Sequence, residues 1–176
     1  MQLVILDRDG VINEDSDAYI KAPEEWVPVP GSIEAIARLT AAGVEVAVAT
    51  NQSGLARGLF DQAALDAIHR KMVAAIRAAG GRLAGIYYCP HGPDDACECR
   101  KPRAGLLERI GRDLGIDLRG VPVVGDSERD LVAARAVGAR PILVLTGKGQ
   151  ATATRLGPNN EVYADLAAAT DALLSE

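Results

Sequence analysis

Aromatic residues are scarce in this chain, with one Trp, one Phe and four Tyr among 176 residues, and there is no basic excess. Lys and Arg number 19 against 24 Asp and Glu, a formal charge of −5. Both features count against a dedicated nucleic-acid surface or a membrane-binding face. No apolar stretch approaches the roughly 20 residues of a membrane span, and residues 3–6 already read as a strand in place of a secretory leader. These absences predict a cytoplasmic protein whose partner is neither nucleic acid nor membrane. Cysteine is scarce too: all three lie between Tyr87 and Pro102.

What is present is alternation. Apolar runs near 2–6, 44–49, 83–88, 121–124 and 141–145 alternate with helical patterns at 32–42, 62–79, around Leu106, Leu107, Ile110 and Leu114, and from Leu131 to Val137. A short strand at 161–163 and a helix at 166–174 follow. Such alternation predicts an α/β fold with a parallel sheet and crossover helices. The length predicts one domain, 1–176, able to bury roughly 70% of its unfolded surface. There is no repeat, linker or low-complexity segment.

Residues 3–12 read LVILDRDGVI. An apolar run ending in Asp7 and Asp9 predicts a buried strand that carries two carboxylates to its C-terminal tip, where open α/β sheets place ligands. Two such acids repel and are costly to desolvate, so a pair kept ionised needs a cation, and hard oxygens favour Mg²⁺. Alone, DxDG reads equally as a capped turn with Gly10 at positive φ. Three later strings weigh against that: VEVAVATNQSG ends a second run at Thr50 and Asn51, RKP puts Lys101 before a helix, and VPVVGDSERD puts Asp126 after a third run. Asp130 reads as a helix-start cap or a support of the site, with direct metal ligation as the alternative. His69 reads as a surface residue of a helix, and TGKGQ at 146–150 as a βα turn, since it lacks P-loop spacing.

Cys89, His91, Cys97 and Cys99 form C-x-H-x₅-C-x-C. Three thiolates and an imidazole are a tetrahedral zinc set, and four protein ligands leave no open position for chemistry. The alternatives are a disulfide or buried free thiols. The stretch from Pro90 to Arg103 has almost no apolar residue to bury a thiol against. Ordering it costs about 1–2 kcal/mol per residue, and structural zinc supplies roughly 10–16 kcal/mol. The predicted role is to hold Arg100 and Lys101 at the reaction centre.

In this order, DxDxV at Asp7 to Val11, Thr50, Lys101 and GDxxxD from Gly125 to Asp130 resemble the haloacid dehalogenase superfamily of aspartate-dependent phosphatases. The resemblance implies a Rossmann-like three-layer sandwich with a mainly parallel central sheet. It also implies Asp7 as nucleophile, Asp9 as general acid and base, Thr50 and Lys101 as the phosphate-stabilising pair, and Asp7, Asp9 and Asp126 as magnesium ligands. The gaps between the motifs are filled by sheet elements, so the fold is expected to be capless, with a zinc-stabilised loop.

LDRDGVIN, TNQSGLARG, YYCPHGP and CECRKP more closely resemble the D-glycero-D-manno-heptose 1,7-bisphosphate 7-phosphatases, up to about residue 135. These are capless bacterial enzymes of nucleotide-activated heptose synthesis, which feeds lipopolysaccharide core and related glycans. The resemblance implies a Mg²⁺-dependent sugar bisphosphate phosphatase, and the chain is expected to be a monomer. Arg100 is then expected at the far end of the substrate, and Asp15, Ser16, Asp17, Ala18, Thr50, Asn51, Gln52 and Ser53 around it. The anomer stays open. Histidinol-phosphate phosphatase, with a similar zinc loop, is the alternative; a polynucleotide 3′-phosphatase needs a basic groove that −5 does not provide.

Overall fold

Along the first strand, β1 (Leu3–Leu6), Val4 and Leu6 face one apolar layer while Leu3 and Ile5 face another, so the strand is buried on both sides. The computed structural model describes residues 1–176. Its other strands are β2 (Glu45–Asn51), β3 (Gly85–Cys89), β4 (Pro122–Gly125), β5 (Arg140–Val144) and β6 (Glu161–Tyr163). They form one wholly parallel sheet in the order β3-β2-β1-β4-β5-β6, with Leu3 opposite Glu45 and Leu6 opposite Val124.

The helices are α1 (Ser32–Ala41), α2 (Gln62–Ala78), α3 (Gly105–Leu114), α4 (Glu128–Ala136), α5 (Gly149–Ala153) and α6 (Leu166–Leu174). Ile36 and Leu39 of α1, Ile68, Met72 and Ile76 of α2 and Leu173 of α6 cover the Val4 face. Leu107 and Ile110 of α3 and Ala133 and Ala134 of α4 cover the Leu3 face. This is the expected three-layer sandwich. Asp61 and Asp165 cap α2 and α6, each accepting a backbone N–H three residues on at 2.8 Å.

Several expectations shift. The α4 helix begins at Glu128 because the Ser127 N–H and hydroxyl both donate to the Asp130 carboxylate, at 3.1 and 2.6 Å. A 3₁₀ turn at Pro23–Glu25 and α5 had no periodic signal, being only 3 and 5 residues long. His69 is not a surface residue: it is 8% exposed. It lies four residues after Leu65 on the inward side of α2, facing the Tyr88 ring at 6.0 Å and the Arg8 guanidinium. No helix is long and apolar enough to cross a membrane.

The strand order reverses direction at β1, between β2 and β4, so the crevice at the C-terminal ends of these strands is where a ligand is expected. Asp7, Gln52, Cys89 and Asp126 all lie at that end.

Candidate active site

Asp7 continues the β1 ladder by donating its N–H to the Val124 carbonyl at 2.9 Å, and this fixes its side chain above the sheet. Its Oδ1 accepts the Arg8 N–H at 2.7 Å and lies 3.1 Å from Lys101 Nζ. Lys101 is 3% exposed and donates to the Ala49 carbonyl at 2.6 Å, with Asp130 Oδ1 also at 2.6 Å. Burial alone would lower the pKa of Lys101, but the Asp130 and Asp7 charges outweigh it and raise it, so the ammonium persists. Its main chain is pinned by Asn51, whose amide exchanges two 3.0 Å bonds with the Lys101 N–H and carbonyl.

The carboxylates of Asp7, Asp126 and Asp130 converge, their oxygens within 4.8 Å of one another. Burial raises Asp7 to about 6, the Lys101 charge opposing it, and burial with the Asp7 charge raises Asp126 to about 7. Three buried carboxylates with a single ammonium among them are a hard-oxygen donor set short of positive charge, which fits Mg²⁺. Two glycines make room. Gly10 (φ +82°) and Gly147 (φ +55°) both press on Asp126, and a Cβ at Gly10 would lie 2.0 Å from Asp126 Oδ2. The Lys148 N–H donates to that oxygen at 2.8 Å.

The Asp9 side chain lies outside this cluster, held by Arg8, by Asn13 Nδ2 at 2.9 Å and by Gln52 Nε2 at 3.0 Å, and Asp130 lies within it. Burial opposes ionisation of Asp9, but the Arg8 charge and these bonds keep its pKa below the usual value. Asp130 also keeps its capping role beside its place in the cluster.

A cleft of about 280 Å³ opens over these groups, lined by Asp7, Asp9, Thr50, Asn51, Gln52 and Ser53, by Asp15, Ser16 and Asp17, and by Arg100. Lys101 and Asp126 lie just behind it. Ala18 is the exception: it is outside the lining, and its carbonyl accepts from Lys21 Nζ at 2.8 Å. The Thr50 hydroxyl accepts from Gln52 Nε2 at 2.9 Å, so one amide ties Thr50 to Asp9.

Sequence reasoning missed Arg8, Asn13, Tyr19, Arg57, Arg129 and Lys148. Arg57 packs on the Tyr19 ring at 5.8 Å, and Arg129 presents a buried Nε without a hydrogen-bond partner. Lys148, in the turn after β5, reaches Asp15 at 3.3 Å. Its GKG string was the one available signal. Arg8 had a signal as well, a cation between the two aspartates that end the apolar run.

Beside the cleft, Cys89, His91, Cys97 and Cys99 bring three sulfurs and Nδ1 together within 4.8 Å. Cys89 Sγ lies 3.0 Å from Cys99 and 3.8 Å from Cys97, and His91 Nδ1 lies 3.3 Å from Cys99. Burial and the Cys99 sulfur push the Cys89 thiol up to about 12. Three thiols and an imidazole brought this close fit Zn²⁺, whose charge would stabilise the thiolates. Arg100 Nη1 donates to the His91 carbonyl at 3.2 Å, which ties the cluster to the cleft wall.

Residues 98–169 match the family model described as HAD-hyrolase-like. The chain is 56% identical over 178 residues to the D-glycero-beta-D-manno-heptose-1,7-bisphosphate 7-phosphatase of Bordetella bronchiseptica, covering 100% of this chain and 99% of the relative. It is 57% identical to the enzyme of that name from Pseudomonas aeruginosa, covering 98% of this chain and 97% of the relative. The crystal structure of D,D-heptose 1.7-bisphosphate phosphatase from B. bronchiseptica, complexed with magnesium and phosphate, superposes with a TM-score of 0.96 at 55% identity over 99% of both chains. The sheet order, the aspartate cluster and these likenesses agree, and the chain belongs to the D-glycero-beta-D-manno-heptose-1,7-bisphosphate 7-phosphatase family of HAD-like hydrolases.

Proposed function

We propose that this protein is a Mg²⁺-dependent phosphatase that removes the 7-phosphate of D-glycero-β-D-manno-heptose 1,7-bisphosphate, acting as a capless, monomeric, cytoplasmic single domain. One observation carries the bisphosphate reading: Arg57, Arg100 and Arg129 line the cleft, and none forms an ion pair. The reacting phosphoryl group already has Lys101, Thr50 and the metal. Arg57 and Arg100 suit a second phosphate, which an open site must hold without a lid, while Arg129, in the field of the Asp130 and Asp7 charges, lies nearer the reacting group.

In the first half-reaction Asp7 attacks phosphorus. The bond to the sugar oxygen breaks, and Asp9 gives that oxygen its proton, leaving an aspartyl phosphate and the free hydroxyl. The dianionic 7-phosphate of the substrate adds negative charge beside Asp9 and so favours the protonated form this step needs. In the second half-reaction water attacks the aspartyl phosphate, Asp9 takes up the water proton, and Asp7 is regenerated with release of inorganic phosphate. Lys101 holds Asp7 in line and, with the Thr50 hydroxyl, meets charge on the phosphoryl oxygens. Asp7, Asp9 and Asp126, with Asp130 beside them, would hold Mg²⁺, which would supply further charge stabilisation.

Steady-state rates on both anomers of the heptose bisphosphate and on histidinol phosphate test the reading. The β anomer should give the largest kcat/KM, in keeping with the names of the relatives. A preference for histidinol phosphate would reject it.

A further inference from the structure

Two buried polar residues have no part in the chemistry above. Arg8 is 0% exposed, and His69 of α2 is buried beside it. Arg8 Nη1 lies 3.2 Å from His69 Nε2. Arginine only donates, so Nε2 accepts, and the ring is neutral with its proton on Nδ1. Burial, and then the Arg8 charge, hold His69 down to about 4, which agrees with that assignment. The rest of the guanidinium grips Asp9: Nε reaches Oδ1 at 3.1 Å, and Nη2 reaches Oδ1 and Oδ2 at 2.8 and 3.1 Å. Arg8 pairs with no other carboxylate.

An enclosed guanidinium is a poor device for stability. Its desolvation offsets much of what its ion pair contributes, and an apolar residue would extend the buried strand tip without that cost. Its geometry suits placement instead. The planar fork fixes both the position and the tilt of one carboxylate, and the imidazole behind it removes the remaining freedom of the fork.

We propose that His69, acting through Arg8, is a positioning residue for Asp9, and that this pair aims the Asp9 carboxyl at the leaving oxygen. The inference rests on the reading of Asp9 as the acid. His69 does not line the cleft.

The test compares kcat/KM of the Mg²⁺-loaded enzyme on the heptose bisphosphate and on p-nitrophenyl phosphate, whose nitrophenolate leaves without a proton. This parameter covers only the steps up to departure of the leaving group, so water attack on the aspartyl phosphate does not enter. His69→Leu should lower it about tenfold or more on the sugar phosphate and by less than about twofold on the aryl phosphate, as displacement of an acid predicts. His69→Gln, which offers Oε1 to the same Arg8 donor, should recover most of the loss. Arg8→Lys keeps the charge without the fork and should show the same selective loss, which covers the case of a His69 variant that does not fold. Equal losses on both substrates, or none, in the folded variants would overturn the positioning role. Equal losses in Asp9→Asn would overturn the acid reading and the inference together.

Discussion

Asp7 and Asp9 sit two residues apart and have separate surroundings: Lys101 and the carboxylate cluster hold the first, and Arg8, Asn13 and Gln52 hold the second. That separation suits the proposed division of labour, with Asp7 as nucleophile and Asp9 as the group that moves protons. Asp7→Asn is nearly isosteric, so the fold should persist while turnover drops by a factor of about 10⁴ or more. Residual rate and acid-quench mass spectrometry for an aspartyl phosphate check this, and substantial turnover in pure mutant protein would sink the covalent route. At Gly10 a side chain meets two penalties. A left-handed backbone costs an L-residue roughly 1–2 kcal/mol, and the new methyl group would displace Asp126. Gly10→Ala should therefore lower the melting temperature and, separately, raise the Mg²⁺ concentration needed for half-maximal rate.

The element of most consequence is the segment from β3 to α3, which carries the cysteine cluster, Arg100 and Lys101 in one run. It contributes little apolar burial, so its order depends on the metal. Metal analysis should find about one zinc per chain. Cys97→Ser should raise amide hydrogen exchange across residues 90–103 before any other part of the molecule, with activity falling as Arg100 and Lys101 lose their anchorage. Unchanged exchange and full activity in zinc-free protein would show that the cluster does something else. Arg100 itself is tied only to the His91 carbonyl and is free to meet an anion. Arg100→Ala should reduce kcat/KM by roughly 1.5–3 kcal/mol on the heptose bisphosphate and by much less on a small monophosphate, the loss of one charge-assisted hydrogen bond. Equal losses on the two would place Arg100 at the transferring phosphoryl group.

For the whole molecule, metal and proton compete for the same carboxylates. Raised from the usual 3.8 to about 6 and about 7, Asp7 and Asp126 bind more protons in the folded protein than in the unfolded chain. Their contribution to stability is whole below pH 3.8 and is lost as pH climbs through 6 and 7. Bound Mg²⁺ favours the ionised forms and reverses that loss. The rise in melting temperature from Mg²⁺, relative to EDTA, should therefore be small near pH 5 and large near pH 8. Equal rises at the two would contradict the linkage.

Periodicity and motif spacing were enough to read the layered α/β plan, the place of Asp7 at the tip of β1 and the clustering of Cys89, His91, Cys97 and Cys99. Each of these depends on local order along the chain: an apolar run, a turn, a short spacing. What brings Asp130 into the carboxylate cluster, turns the Asp9 side chain toward Arg8, and buries His69 behind them is the docking of α2 and α4 against the tip of β1. Those contacts join residues 61 positions apart for Arg8 and His69, and they set Asp130 against Lys101. Hydrophobic pattern determined which faces were buried. Only the assembled sheet decided which charges met, because a carboxylate, an ammonium or an imidazole takes its role from neighbours supplied by other elements, and nothing in its own stretch of chain names them.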